Sequence, residues 1–130
     1  MTTLFTKTIC GILLTVATSV SFADMPKIGA SINGGTFVYR DDIEGVYWVD
    51  WIAYPLMDKK TLKSSDNIHL TLVAEGKNTF VGNGNIYCSS GESDWESGNN
   101  NGSIATNENE IKEYIPKEVI NNSINQFCKK

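Results

Sequence analysis

Between residues 36 and 88 the apolar positions recur with a period of two, and after Pro116 the period lengthens to that of a helix. "TFVYR" (36 to 40) follows Gly34-Gly35, and "GVYWVDWIAYP" (45 to 55) follows the acidic turn Asp41, Asp42, Ile43, Glu44. "NIHLTLVAE" (67 to 75) sets Ile68, Leu70 and Leu72 against His69 and Thr71, and "NTFVGNGNIYC" (78 to 88) resumes after Gly76-Lys77. Alternation of this kind, bounded by Gly, Asn and Asp, predicts antiparallel strands joined by short turns. Gly82 and Gly84 within the last run imply a bulge, a bend or a further tight turn.

The strand from Val46 to Tyr54 is apolar on both sides. Val46, Trp48, Ile52 and Tyr54 share one face, and Tyr47, Val49, Trp51 and Ala53 the other. That pattern belongs to a central strand with the core on one face and a helix, partner or ligand on the other. Asp50 falls on the Trp48 face, which therefore is not fully dry, because an unpaired buried carboxylate is costly.

Residues 89 to 110, "SSGESDWESGNNNGSIATNENE", hold only Trp95, Ile104 and Ala105 as apolar side chains. They predict one long loop, with room for a brief strand pairing around Asn99 to Gly102, where Asn-Gly suits a tight hairpin. Trp95 is either an anchor tucked onto the core, the preferred reading, or an exposed contact residue. From Pro116 onward a helix is expected, since proline suits its first turn. Val119, Ile120, Ile124, Phe127 and Cys128 fall on one half of its wheel, with Glu118, Asn121, Asn122, Asn125, Gln126 and Lys129 opposite. Lys129 and Lys130 complement the negative end of that helix.

The first 23 residues carry one positive charge, Lys7, an apolar run from Ile9 to Val20, and then Ser21, Phe22 and Ala23. This is the pattern of a secretory signal peptide, with cleavage expected after Ala23. The apolar run is short of the roughly 20 residues of a spanning helix. Cys10 stands at the front of the run, not at its end where a lipid-attachment cysteine would lie. Cleavage leaves residues 24 to 130 as a single small domain in the periplasm or outside the cell. It also leaves two cysteines, Cys88 and Cys128, in a compartment that oxidises thiols, so one disulfide is expected between them. Two cysteines and one distant histidine do not make a zinc site, and no Cys-x-x-Cys redox pair is present. The fold class that results is α+β: an antiparallel β-sheet covered by a C-terminal α-helix, stapled to it by one disulfide.

Charge narrows the partners. The chain has 15 acidic and 11 basic groups, and losing Lys7 takes its net charge from −4 to −5 with His69 neutral. No basic stretch favours nucleic acid or an anionic membrane, whereas an acidic surface suits a basic protein. Catalytic chemistry is sparse. His69 alternates with Leu70 onto the less apolar strand face, the serines have no nucleophile-elbow context, and neither Asp41, Asp42 and Glu44 nor Glu92, Asp94 and Glu96 has calcium-loop spacing. No catalytic residue, metal or cofactor is expected. Tyr47, Trp51, Tyr54 and Trp95 are more large aromatics than one core face easily hides, and aromatics with polar tips make good binding anchors, although core packing competes for them. With the acidic trio they give the candidate partner-binding set: Tyr47, Trp51, Tyr54, Glu92, Asp94, Trp95 and Glu96.

"FVYRDDIEGVYWVDWIAYP", Cys88 at a strand end, and "IPKEVINNSINQFCKK" together resemble the surface-adhesin protein E family of secreted bacterial proteins. The resemblance implies an antiparallel sheet whose concave side is covered by a C-terminal helix held through a disulfide. It also implies a role in holding host matrix or serum proteins, with haem associated with the family's prototype. No ligand-contacting residue carries over to this sequence. The expected function is a secreted or periplasmic, non-enzymatic, adhesin-like module that holds a protein partner, such as a host extracellular protein. The rival class is a periplasmic inhibitor or immunity protein against a basic cell-wall hydrolase or toxin, with Glu92, Asp94 and Glu96 around Trp95 as its plug.

Overall fold

A computed structural model describes residues 25–43, 45, 47–104 and 107–128 of the 130-residue chain. The expected leader (1 to 23), Glu44, Val46, Lys129 and Lys130 lie outside the described residues. Seven strands form one antiparallel meander in chain order: β1 (Ser31–Ile32), β2 (Gly35–Ile43), β3 (Tyr47–Pro55), β4 (Asn67–Gly76), β5 (Phe80–Tyr87), β6 (Ser93–Asn100) and β7 (Ser103–Ile104). Among the described residues there are also three helices: α1 (Lys59–Ser64) between β3 and β4, then α2 (Glu108–Tyr114) and α3 (Lys117–Phe127) after the sheet. The two edge pairs are closed by Asn33-Gly34 and Asn101-Gly102, with φ of 50° and 84°, and of 52° and 89°. Positive φ at both central residues is the two-residue hairpin geometry that Asn-Gly supplies at least cost.

Helix boundaries follow from local chemistry. Asp58 caps α1, accepting a hydrogen bond from Thr61 N at 2.7 Å, and Asn107 caps α2, accepting from Glu110 N at 2.8 Å. Each satisfies a backbone donor that the first turn leaves unpaired. Pro116 occupies the cap of α3.

The core lies between one sheet face and the helices. β4 gives it Ile68, Leu70, Leu72 and Ala74, β3 gives Val49, Trp51 and Ala53, α2 and α3 give Ile111 and Val119, and Ile115 joins them from the link between those helices. Large groups on this face are set against glycines. Gly84 pairs with Trp95 in the register of β5 and β6, and a Cβ built on Gly84 would lie 2.5 Å from the indole. Gly98 does the same for α2, since its Cβ would lie 2.9 Å from Ile111. These glycines are slots in which a ring or a helix side chain lies directly on the strand. A bulge between Asn83 and Gly84 accompanies them, as the glycines in the sequence imply.

A second bulge, between Phe37 and Tyr39, leaves Val38 without a partner on β3. Its carbonyl is satisfied from outside the ladder: Asn122 Nδ2 of α3 donates to Val38 O at 2.7 Å, docking the helix on β2. At the far end of α3, Cys128 is bridged to Cys88, just beyond β5, with 5.7 Å between Cα atoms. The expected sheet, terminal helix and staple are therefore present, with two helices after the sheet in place of one.

One expectation is corrected. Residues 89 to 110 are not one long loop, because Ser93–Asn100 is a full strand and Glu108 begins α2. The buried positions of β6 are Trp95 and Gly98, and a glycine that is buried under Ile111 carries no hydropathic signal.

Candidate binding surface

Among the described residues, helices cover only one side of this sheet. On the other side the register aligns Arg40 with Asp50 and Glu75, Ile52 with Val73 and Val81, and Tyr54 with Thr71 and Asn83. Phe37 and Ile52 pair across β2 and β3 and are buried, and Tyr54 lies over Gly35, where an added Cβ would come within 2.7 Å of the ring. Around this small apolar centre the face is open. Trp48 is 46% and Val81 45% exposed.

Trp48 is held in place from beneath. The Arg40 guanidinium lies 4.6 Å from its ring centroid, and the same guanidinium donates through Nε and Nη2 to the Asp50 carboxylate at 2.6 and 2.9 Å. A planar fork that grips a carboxylate while stacking on an indole fixes both partners. Asp50 is thus charged and paired on the Trp48 face. Tyr47, 49% exposed, stands at the same end of β3 on the opposite side, with the Lys77 ammonium 4.4 Å from its centroid.

The candidate set does not converge. Trp51 and Trp95 are 4% and 5% exposed, with their rings in the helix-side core, so neither has surface to offer a partner. Trp95 is the anchor of the two readings: its Nε1 donates to Ser93 Oγ and its backbone N to Glu108 Oε2, both at 2.9 Å. The acidic trio therefore does not frame an exposed indole, because alternation puts Asp94 and Glu96 on the open face and Trp95 beneath. Tyr54 is half-buried on the open face, and Tyr47 marks the end of β3.

The acidic rim has its own structure. Tyr87 Oη donates to Asp94 Oδ2 at 2.7 Å, and this bond to a carboxylate raises the tyrosine pKa above its ordinary 10.0. Glu96 Oε1 lies 3.9 Å from His69 Nε2, both groups well exposed, and such a pair is worth little in water. Glu92 is exposed in the turn before β6. Trp48 was not singled out by composition, although its place beside Asp50 in the alternation puts it on the wetter face.

Among the described residues, no group of three or more His, Cys, Asp or Glu side chains could hold a metal ion, and no helix is long and apolar enough to cross a membrane. No family model, curated protein or solved structure matches the chain.

Proposed function

We propose that this chain is a non-enzymatic binding module of the surface-adhesin protein E kind, exported from the cytoplasm, which holds a basic protein partner on the open face of its sheet. The observation that carries the reading is Trp48: a large aromatic, about half exposed, already fixed by the Arg40–Asp50 pair. An anchor that is ordered before binding loses little entropy on docking, and indoles are among the residues that dominate interface energies. Asp42 opposite Trp48 on β2 and Glu75 beside Asp50 place negative charge near the indole, and Asp94 and Glu96 carry it to the other end of the open face, level with the C-terminal end of β3, so the face complements a basic partner and speeds encounter. A cleaved leader and an oxidising compartment accord with the Cys88–Cys128 bridge.

The test is affinity capture from extracellular-matrix and periplasmic extracts with the mature domain, in parallel with Trp48→Ala and with Asp94→Asn/Glu96→Gln. The expected result is one basic protein, retained by the wild type and lost by Trp48→Ala, with salt weakening retention. Equal retention by Trp48→Ala would overturn the docking face. Turnover of peptidoglycan by the purified domain would overturn the non-enzymatic reading. A matrix protein as the captured species supports the adhesin role. A cell-wall hydrolase that loses activity on capture replaces that role with inhibition.

A further inference from the structure

Three asparagines of the chain are followed by glycine: Asn33, Asn83 and Asn101. In such a pair the glycine nitrogen can attack Cγ of the asparagine, because no Cβ on the second residue stands in the way. The bond from Cγ to the side-chain nitrogen breaks, the glycine N–H proton leaves with that nitrogen as ammonia, and a cyclic succinimide remains. Water opens the ring at the side-chain carbonyl to give aspartate, or at the main-chain carbonyl to give isoaspartate. Nothing is oxidised or reduced, and the reaction needs only that the side-chain amide and the glycine N–H are both free to meet.

The fold occupies those groups at two of the three sites. Asn101 Oδ1 accepts from Thr79 N at 2.7 Å and from Thr79 Oγ1 at 3.3 Å, and Gly102 N donates to Asn99 Oδ1 at 2.9 Å. Asn83 lies inside β5, where its Oδ1 accepts from Thr71 Oγ1 at 2.5 Å, its Nδ2 donates to Ser97 Oγ at 3.2 Å, and Gly84 is buried beneath Trp95. Asn33 differs. Its turn is exposed and has nearly the same backbone as that of Asn101, yet among the described residues no hydrogen bond engages the Asn33 side chain or Gly34 N. The two hairpins are thus a comparison within one molecule, equal in sequence and turn geometry, one locked and one open. We propose that Asn33 is a site of spontaneous deamidation in the folded protein, while Asn83 and Asn101 are protected. The hairpin survives the movement this requires, because Gly29 N donates to Phe37 O and Phe37 N to Ala30 O, both at 2.8 Å, beyond the turn. The product carries one more negative charge, and isoaspartate adds a methylene to the main chain. β1 is two residues long, so the added methylene alters the pairing of the whole strand that ends the sheet.

The experiment incubates the purified mature chain at mildly alkaline pH, digests samples under acidic conditions, and follows the three sites by mass spectrometry, with aspartate and isoaspartate peptides separated by chromatography. Each hydrogen bond that must break first slows the reaction by about fivefold, so the locks on Asn101 Oδ1 and Gly102 N together predict a rate about 25-fold below that of Asn33. Conversion at Asn33 should therefore outrun both other sites by at least about tenfold and yield isoaspartate as well as aspartate. In concentrated urea, where the locks are gone, the three rates should converge. Asn99→Ala releases Gly102 N–H and should speed Asn101 by about fivefold while leaving Asn33 unchanged, with an unaltered circular dichroism spectrum showing that the variant is folded. Should that variant not fold, the ratio of the sites in the wild type still decides. The proposal is overturned if Asn101 or Asn83 converts as fast as Asn33 in the folded chain, or if Asn33 stays intact there while converting in urea. A folded Asn99→Ala variant with an unchanged Asn101 rate overturns the lock, and aspartate without isoaspartate overturns the cyclic step. No readout involves Trp48 or a partner, so failure here and failure of the docking face are told apart.

Discussion

Replacing Cys88 and Cys128 together by alanine removes a cross-link between residues 40 positions apart. In the loop-closure model, freeing a loop of that length returns about 13 cal/mol/K to the unfolded chain, or about 4 kcal/mol at 25 °C. The folded state gives little of this back, because both bridge ends are held by other contacts. Cys88 N donates to Asp66 O at 2.7 Å, Ser89 N donates to Asp66 Oδ1 at 2.9 Å, and α3 keeps its own dock through Asn122 to Val38 and through buried Val119 and Ser123. The double variant should therefore fold to the same far-ultraviolet spectrum while losing about 4 kcal/mol, a large part of the roughly 5–15 kcal/mol that holds a small domain together. Urea unfolding with and without reductant measures it. The denaturant slope should rise in the variant, because an unfolded chain without the bridge exposes more surface. A loss below about 1 kcal/mol would refute the reasoning, and so would a folded spectrum that has lost helix, which would show that the bridge holds α3 in place instead of restricting the unfolded chain.

Three further outcomes follow from the packing and charges described. Gly84→Ala forces a Cβ against the Asp94 carbonyl oxygen and into the Trp95 ring and should cost about 1–3 kcal/mol in urea unfolding, with Trp95 fluorescence red-shifted; unchanged stability and an unshifted spectrum would mean that the ring is not seated on that strand. A double-mutant cycle on Arg40→Met and Asp50→Asn should return a coupling near 1 kcal/mol, since this pair is bidentate and only 15% and 22% exposed, and zero coupling would deny its role in fixing Trp48. The Tyr39 pKa is raised above 10.0 by burial first and then by the charges of Glu118 and Asp41. A raised folded pKa gives stability that is complete below pH 10 and lost as pH climbs through the folded value. Tyrosinate absorbance should therefore show Tyr39 titrating later than free tyrosine, and Glu118→Gln should bring it earlier.

Much of this fold is legible in the chain, for reasons that can be named residue by residue. Strands β2 to β5 announce themselves because Val38, Val49, Ile68, Leu70, Leu72, Phe80 and Ile86 are among their buried positions and mark the period, even where Gly82 and Gly84 interrupt it in β5, and α3 does so because Val119, Ile120 and Ile124 recur at helical spacing. Strand β6 is silent because its inward residues after Trp95 give way to Gly98, whose use to the fold is the absence of a side chain. Helices α1 and α2 are six and seven residues long, too short for a period to emerge, and are marked only by their caps, Asp58 and Asn107. The Asn33-Gly34 hairpin is as strong a local signal as Asn101-Gly102, but the strand it closes has two residues.

The candidate surface is less legible, and β3 shows why. Both of its faces are apolar, so hydropathy alone ranks Trp48 and Trp51 equally, yet one is about half exposed and the other 4% exposed. What separates them is Asp50. A carboxylate taken out of water without a partner costs several kcal/mol, whereas leaving half of an indole in water forgoes about 1 kcal/mol of burial. The end of the face at the charge therefore stays wet and Trp48 beside it stays accessible, while Ile52, on the other side of Asp50, is covered together with Phe37. By that inequality Trp48, two residues from Asp50, belongs to the surface, while Trp51, flanked in the alternation by Val49 and Ala53, belongs to the core. The structure adds the partner that makes this arrangement stable: Arg40, opposite Asp50 in the register, which neutralises the carboxylate and supports the exposed ring at once.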